Sequence, residues 1–257
     1  LHSFPTRRSS DLEIVFGPIY SRRLGSSLGI NILPEKGKLC NFDCIYCECG
    51  WNSEGRGDRR VPKATELREA LEKKLSSCKA AETPIDSITF SGDGEPTLNP
   101  DFPAMIDITL SLRDIYYPSA KVSVLSNATR VGRKRVFEAL RKVDNPILKL
   151  DVSSDEEARL INRPTLDYRV EEVVRNLKKF KGEFVLQTMF LKSPEFESAS
   201  MVEGWMEIVR QVRPREIMVY TIDRETPMEG LQKYAPEEMR VLVQPLIDEG
   251  FKIQIKG

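Results

Sequence analysis

The chain has 257 residues, of which 40% are hydrophobic and 30% are charged, and its 39 basic residues balance 39 acidic ones. This composition supplies enough apolar material for a sizeable core, so it excludes a disordered or fibrous chain. No apolar run approaches the roughly 18 residues that a membrane helix needs, so no membrane span is expected. The neutral balance gives no electrostatic support for a strong nucleic-acid binder.

Residues 1–12, LHSFPTRRSSDL, are unlike the rest of the chain and resemble the in-frame translation of a sequencing-library adapter. We interpret them as an assembly artefact and expect residues 13–257 to form a single domain. A genuine basic tail is the alternative. This segment holds two arginines, one aspartate and the only histidine, His2, which leaves 37 basic and 38 acidic residues and no imidazole. Ser-His-Asp catalysis and histidine-rich metal sites are then excluded.

Apolar, β-branched runs alternate with amphipathic ones along the rest of the chain. The predicted strands are 28–33, 85–91, 121–126, 147–153, 184–191, 216–222 and 251–256. The predicted helices are 65–78, 101–112, 133–142, 167–179, 201–212 and 236–249. This alternation predicts an α/β fold with a parallel sheet, either a partial (β/α)6-type TIM-like barrel or a doubly wound sheet. In both folds ligands bind at the carboxyl ends of the strands.

Four of the five cysteines lie in the stretch LCNFDCIYCECG, residues 39–50. Zinc sites usually combine two close cysteine pairs, whereas Cys40, Cys44 and Cys47 form one C-x3-C-x2-C set without a second pair. Three thiolates on one short loop suit a cubane iron–sulfur cluster whose fourth iron stays open to a substrate or cofactor. Such clustering of an odd number of cysteines is unlike a secreted disulfide framework, so we expect a cytoplasmic protein.

The other two cysteines have less specific interpretations. Cys49 could join a second metal site, act as a redox thiol, or be a small residue beside the cluster, and we favour the last. Cys78 ends a predicted amphipathic helix, which indicates a structural thiol.

The segment CNFDCIYC resembles the signature loop CxxxCxΦC of the radical S-adenosylmethionine (SAM) superfamily, with Tyr46 as the aromatic residue. The resemblance implies the partial parallel barrel of that superfamily, a [4Fe-4S] cluster on Cys40, Cys44 and Cys47, and SAM as cofactor. It also implies a one-electron reductant such as flavodoxin or ferredoxin. SAM would be cleaved to a 5′-deoxyadenosyl radical that abstracts hydrogen from the substrate.

Two later segments extend the resemblance. Gly92, Asp93, Gly94 and Glu95 follow the second predicted strand and resemble the glycine-glutamate motif, whose carbonyls and carboxylate accept hydrogen bonds from the SAM ammonium group. The alternative is an ordinary turn with a solvated glutamate. Asn127 follows the third strand where the family often has Thr-Asn-Gly, although alanine here replaces the glycine.

Lys149, Asp151 and Ser153 alternate along the fourth predicted strand, so we expect all three on one face. If that face is the interior, Asp151 and Ser153 reach the ribose or carboxylate of SAM, and Tyr46 belongs to the same cofactor site. An internal charge pair between Lys149 and Asp151 is the alternative.

Four further segments, FGPIYSRRLG at 16–25, INRP at 161–164, LQT at 186–188 and YTIDR at 220–224, resemble the wyosine-synthetase-like Fe–S oxidoreductases from about residue 16 to the end. The related tRNA 4-demethylwyosine synthases have a further cysteine set and a basic docking surface. Neither is evident here, so a nucleic-acid partner is possible but not supported by charge. The substrate candidates are Arg22, Arg23, Arg163, Gln187, Tyr220, Asp223 and Arg224. Pairing of the arginines with surface carboxylates is the alternative.

The sequence therefore favours a radical SAM enzyme with an unidentified substrate, and it assigns no catalytic residue. A tRNA-modifying wyosine-type synthase is one alternative. The other is a non-catalytic Fe–S or zinc-binding redox sensor, in which Glu95 would be dispensable.

Overall fold

The computed structural model describes residues 13–21, 24–35, 37–54 and 59–257. The chain forms two compact units, the first from the segments 1–40, 52–126 and 133–146, the second from 41–51, 127–132 and 147–257. The expectation of one domain over 13–257 stays a prediction. Within the described part of the chain, no helix has the length and apolar character that a bilayer crossing requires.

The first unit alternates strands with helices along the chain. Its elements are β1 (Val15–Ser21), β2 (Gly25–Ile30), α1 (Ala64–Ala80), β3 (Ser87–Phe90), α2 (Phe102–Tyr116), β4 (Lys121–Ser126) and α3 (Lys134–Leu140). β2, β3 and β4 are parallel neighbours, with Phe90 opposite both Ile30 and Val124. β1 adds an antiparallel edge that the sequence did not predict, because Pro18 and a bulge between Phe16 and Ile19 interrupt the alternating pattern.

Helical periodicity accounts for the packing of this unit. α1 buries Leu67, Leu71, Leu75 and Cys78, which lie three and four residues apart and so share one face. The ring of Phe102 in α2 packs edge-on against Phe90, with 6.1 Å between the ring centres. The placement of Cys78 on the buried face agrees with a structural thiol.

The strand β5 (Asn145–Lys149) begins in the last segment of the first unit and ends in the second. The second unit continues with α4 (Asp155–Ile161), α5 (Val170–Leu177), β6 (Val185–Met189), β7 (Leu191–Lys192), α6 (Val202–Val212), β8 (Glu216–Tyr220), β9 (Gln232–Lys233), α7 (Pro236–Asp248) and β10 (Ile253–Lys256). β5, β6, β8 and β10 are parallel neighbours in that order, while β7 and β9 form a small antiparallel pair. The predicted α/β class with mostly parallel strands is confirmed.

Two elements of the structure differ from the prediction in ways that affect the site. The strand predicted at 147–153 ends at Lys149, so residues 150–153 form an irregular connection and the alternation argument fails beyond Lys149. α4 was not predicted because it has only seven residues. It is stabilised by a capping box, in which Ser154 accepts a hydrogen bond from the amide of Glu157 and Glu157 bonds back to the amide of Ser154.

Candidate active site

The start of the cysteine loop pairs with the glycine-glutamate segment within the first unit. The amide of Leu39 donates to the carbonyl of Asp93, and the amide of Glu95 donates to the carbonyl of Leu39, both at 2.9 Å. Gly94 has a φ of +139°, and a Cβ atom there would lie 1.9 Å from the Leu39 carbonyl oxygen. Only glycine permits this approach, which places Cys40 directly after the paired residue.

Glu95 is buried in the first unit and is not the solvated residue of an ordinary turn. Its Oε1 atom accepts hydrogen bonds from the amide and the hydroxyl of Thr97, at 3.1 and 2.5 Å, and from the Ser126 hydroxyl at 2.9 Å. These donors lower the cost of a buried carboxylate. The arrangement therefore presents a fixed acceptor group at the carboxyl ends of β3 and β4.

The rest of the cysteine loop belongs to the second unit and runs beside the residues that follow α4. The amide of Asp43 bonds to the carbonyl of Asn162 at 2.9 Å, and that of Ile45 bonds to Ile161 at 3.0 Å. A turn closes between the carbonyl of Cys44 and the amide of Cys47 at 3.1 Å. Cys44 is buried and Cys47 is half-buried, so the backbone holds these two thiols in a fixed loop.

The carboxylate of Asp151 is the centre of a buried network in the second unit. It accepts hydrogen bonds from the hydroxyl of Tyr46, the amide nitrogen Nδ2 of Asn162 at 2.7 Å, the ammonium of Lys149 at 3.2 Å and the backbone amide of Met189 at 2.9 Å. Its side chain is fully buried. The internal Lys149–Asp151 charge pair, left open as an alternative above, is therefore present.

Lys149 links this network to a second tyrosine. Its Nζ atom donates to the hydroxyl of Tyr220 at 2.5 Å and lies 4.9 and 4.8 Å from the ring centres of Tyr46 and Tyr220. A cation between two aromatic faces is attracted to both rings. Lys149 thus fixes the positions of Tyr46 and Tyr220.

Burial and the neighbouring charges shift the ionisation of these groups. Burial, followed by the charges of Cys47 and Asp151, raises the pKa of Cys44 to about 11. The thiol is therefore protonated at neutral pH when it binds no metal. Burial and Asp151 also raise the pKa of Tyr46. Burial opposes the charged form of Lys149, but Asp151 and Tyr220 outweigh it and raise the pKa of this ammonium. A metal ion bound by Cys44 would displace the thiol proton.

Asn127 lies in the second unit beside Asn41, a residue of the cysteine loop. Its Nδ2 atom donates to Oδ1 of Asn41 at 2.8 Å, and its own Oδ1 accepts from the amide and hydroxyl of Thr129. Ala128 has a φ of +62°, a left-handed conformation that costs an alanine about 1–2 kcal/mol. The turn therefore forms without the glycine that the family often has.

The structure corrects the expected position of Ser153. Because β5 ends at Lys149, Ser153 does not continue its alternation and instead belongs to the start of α4. Its amide and hydroxyl both bond to Oε2 of Glu157, at 2.7 and 3.0 Å. These bonds hold the Ser153 side chain at the N-terminal end of α4.

Three of the seven substrate candidates meet at one cavity of the second unit. Tyr220, Asp223 and Arg224 line it together with Tyr46, Cys47 and Glu48. Of the described candidates, Arg163 and Gln187 do not line this cavity. Arg163 is exposed and stacks on Trp51 at 5.1 Å, Gln187 is buried in β6, and Arg22 and Arg23 lie outside the described residues.

The five cysteines all lie among the described residues, and none of them forms a disulfide bond. In the same described ranges, no three Cys, His, Asp or Glu side chains stand in position to hold a metal ion. The ligand set Cys40, Cys44 and Cys47 therefore stays a prediction.

Sequence reasoning missed two residues that the structure brings into the candidate site of the second unit. Asn162 contacts both Cys44 and Asp151, and its signal was its position in the segment INRP. Glu48 bonds to Arg224 across 176 positions of the chain, for which no local pattern exists.

Comparison with known proteins identifies the family. Residues 35–195 match the model of the radical SAM superfamily. A UPF0026 protein of Methanocaldococcus jannaschii is 30% identical over 82% of this chain and 64% of its own length. A UPF0026 protein of Synechocystis is 30% identical over 84% of this chain and 77% of its own. A GTPase Obg of Brachyspira hyodysenteriae is 29% identical over 93% of this chain but only 34% of its own length.

Solved structures share the fold at lower identity. SuiB of Streptococcus suis bound to SAM matches 89% of this chain and 50% of its own, with a TM-score of 0.65 and 18% identity. A radical SAM methyltransferase from Sphaerobacter thermophilus matches 89% of this chain and 65% of its own, with a TM-score of 0.67 and 15% identity. The predicted fold of the radical SAM type is confirmed. This chain belongs to the radical SAM superfamily, which uses a [4Fe-4S] cluster and SAM.

Proposed function

We propose that the chain is an enzyme that cleaves SAM reductively at a [4Fe-4S] cluster held by Cys40, Cys44 and Cys47. The observation that carries the proposal is the pairing of Leu39 with the segment 93–95, because it joins the first cysteine to a buried acceptor group. When bound, the cluster supplies the electron that splits SAM into methionine and a 5′-deoxyadenosyl radical, which takes hydrogen from a substrate.

The donor chemistry of the residues present suits these groups. A cluster needs thiolates, and the cysteines of the loop are not consumed in disulfides. The Nδ2 atom of Asn162 lies 3.5 Å from Sγ of Cys44, a hydrogen bond of the kind that supports metal-bound sulfur. Next to Gly92, the Ser91 hydroxyl oxygen is buried and has no hydrogen-bond partner among the described residues, which is a polar atom available to a cofactor.

The chain's own residues would orient SAM rather than react with it. Glu95 and the carbonyls of the segment 92–94 are acceptors that suit an ammonium group, and the glycines allow close approach. Asn127 is fixed by Asn41 and Thr129 and would contact the methionyl carboxylate. In this proposal Asp151 acts through Tyr46, because its carboxylate accepts a hydrogen bond from the Tyr46 hydroxyl. Ser153 acts through the capping of α4.

The chemistry requires a one-electron reductant, and we propose a flavodoxin or ferredoxin in this role. The clustered cysteines, which are unlike a disulfide framework, support a cytoplasmic location.

The test is anaerobic reconstitution followed by iron and sulfide analysis and electron paramagnetic resonance. We expect about four irons and four sulfides per chain, and a reduced-cluster spectrum that changes when SAM is added, because one iron lacks a protein ligand. A zinc or redox-sensing protein predicts a different result. A fully ligated site whose spectrum is the same with and without SAM would contradict the proposal.

A further inference from the structure

A cavity lined by polar and charged side chains lies beside the second-unit network. Its volume is about 160 Å³. Tyr46 and Tyr220 form aromatic walls that Lys149 holds in position, and Glu48, Asp223 and Arg224 supply the charges. This volume accommodates one functional group of a ligand.

Arg224 is the donor group of this cavity. Its side chain is only 14% exposed, and its Nη1 atom donates to Oε2 of Glu48 at 2.7 Å. A guanidinium has five N–H donors in a planar fork. Among the described residues, the bond to Glu48 is the only hydrogen bond that the Arg224 guanidinium donates. The fork matches a carboxylate or a phosphate, which it binds through two parallel hydrogen bonds.

Glu48 is suited to leave this pair. Its side chain is half exposed, so its bond to Arg224 is screened by water and contributes little to stability. Glu48 and an incoming anion carry charge of the same sign and compete for the guanidinium of Arg224. An incoming anion would be repelled if Glu48 stayed on Arg224, but an exchange with Glu48 leaves the charge of the cavity unchanged.

We propose that this cavity is the anion pocket of the substrate, in which Arg224 exchanges Glu48 for a carboxylate or phosphate group. The inference rests on the proposed radical SAM function, because it names the class of molecule that would be presented to the radical. The substrate is thus a small oxyanion-bearing molecule, or a larger one with an oxyanion at the end that enters the cavity. When the substrate is absent, Glu48 forms an ion pair with the Arg224 guanidinium.

The carboxylate of SAM itself is a second source of the same chemistry. If SAM used Arg224, bound SAM would block other anions from the cavity. If the substrate uses Arg224, the pocket stays accessible to them. Anion binding measured with and without SAM therefore separates the two sources.

The experiment is calorimetric titration of the cluster-reconstituted full chain with inorganic phosphate and with acetate, in the absence and presence of saturating SAM. Removing the competing carboxylate in Glu48→Gln should tighten phosphate binding roughly fivefold, since exposed pairs are worth up to about 1 kcal/mol. Arg224→Gln should weaken it tenfold or more, and Arg224→Lys should also weaken it because the fork is lost. Glu249→Gln, which breaks the exposed Arg210–Glu249 pair of the same unit, is the matched control and should change nothing.

Phosphate affinity that is equal in the wild type, Arg224→Gln and Arg224→Lys would overturn the proposal, as would phosphate binding that is abolished by SAM. Failure of the proposed function gives a different result. A chain that binds phosphate through Arg224 but forms no 5′-deoxyadenosine would retain the anion pocket and refute the radical chemistry.

Discussion

The side-chain nitrogen Nδ2 of Asn162 lies 3.5 Å from the sulfur of Cys44 and 2.7 Å from the carboxylate of Asp151. One side chain thus connects a proposed cluster ligand to the buried charge network of the second unit. Hydrogen bonds of this kind orient metal ligands and change the affinity for the metal.

Replacing this side chain should loosen the cluster. We expect Asn162→Ala to retain the reconstituted cluster at least tenfold less well than the wild type, because Cys44 loses its supporting donor. The measurement is the rate of iron transfer to a chelator under anaerobic conditions. Asn176→Ala removes another buried amide of the same unit and is the control. Equal rates in the wild type and Asn162→Ala would contradict the assigned role.

The four clustered cysteines should divide into three ligands and one bystander. Alanine at Cys40, Cys44 or Cys47 is expected to reduce the iron content well below the roughly four atoms per chain of a complete cluster. Alanine at Cys49 should leave the iron content and the visible absorption of the reconstituted protein unchanged. Loss of the cluster in Cys49→Ala would show that this residue is a ligand and that the proposed open iron is wrong.

Glu95→Gln should weaken SAM binding while the cluster still assembles. A hydrogen bond to a charged partner contributes about 1.5–3 kcal/mol, so the dissociation constant should rise tenfold or more. The Gln oxygen can still accept from Thr97 and Ser126, so the fold should persist. Calorimetric titration of the reconstituted variant with SAM gives the value, and Glu72→Gln on the exposed face of α1 is the control. Unchanged SAM affinity in Glu95→Gln would exclude Glu95 from the SAM site.

Asp144 should stabilise the first unit in a pH-dependent way. Burial opposes its charge, but the amide of Val122 and the side chains of Arg113 and Lys121 lower the pKa of this carboxyl below its ordinary value of 3.8. Its contribution is therefore present above about pH 4 and is lost as the pH falls through the lowered pKa.

We expect Asp144→Asn to lose about 1–2 kcal/mol in the free energy of unfolding at pH 7, and a smaller amount below pH 4. Urea denaturation at several pH values measures this difference. Asp107→Asn breaks the exposed pair with Lys142 and should change stability by less than about 0.5 kcal/mol. A loss in Asp144→Asn that is independent of pH would contradict the assigned charge interaction.

Local patterns predicted the parts of the site that depend on neighbouring residues. The glycine and glutamate of the segment 92–95 could be predicted because a close backbone approach requires glycine and the motif is contiguous. The position of Ser153 was predicted wrongly because strand periodicity does not reveal that β5 ends at Lys149. The pairing of Glu48 with Arg224 arises only from tertiary packing, so no pattern in the sequence could predict it.

The most direct test of the central claim is the formation of 5′-deoxyadenosine from SAM by the anaerobically reconstituted, dithionite-reduced chain, measured by liquid chromatography. We expect time-dependent formation of 5′-deoxyadenosine in the wild type and none in the variant with alanine at Cys40, Cys44 and Cys47. No product from a wild-type chain with its full iron content, or equal product from the triple variant, would contradict the account.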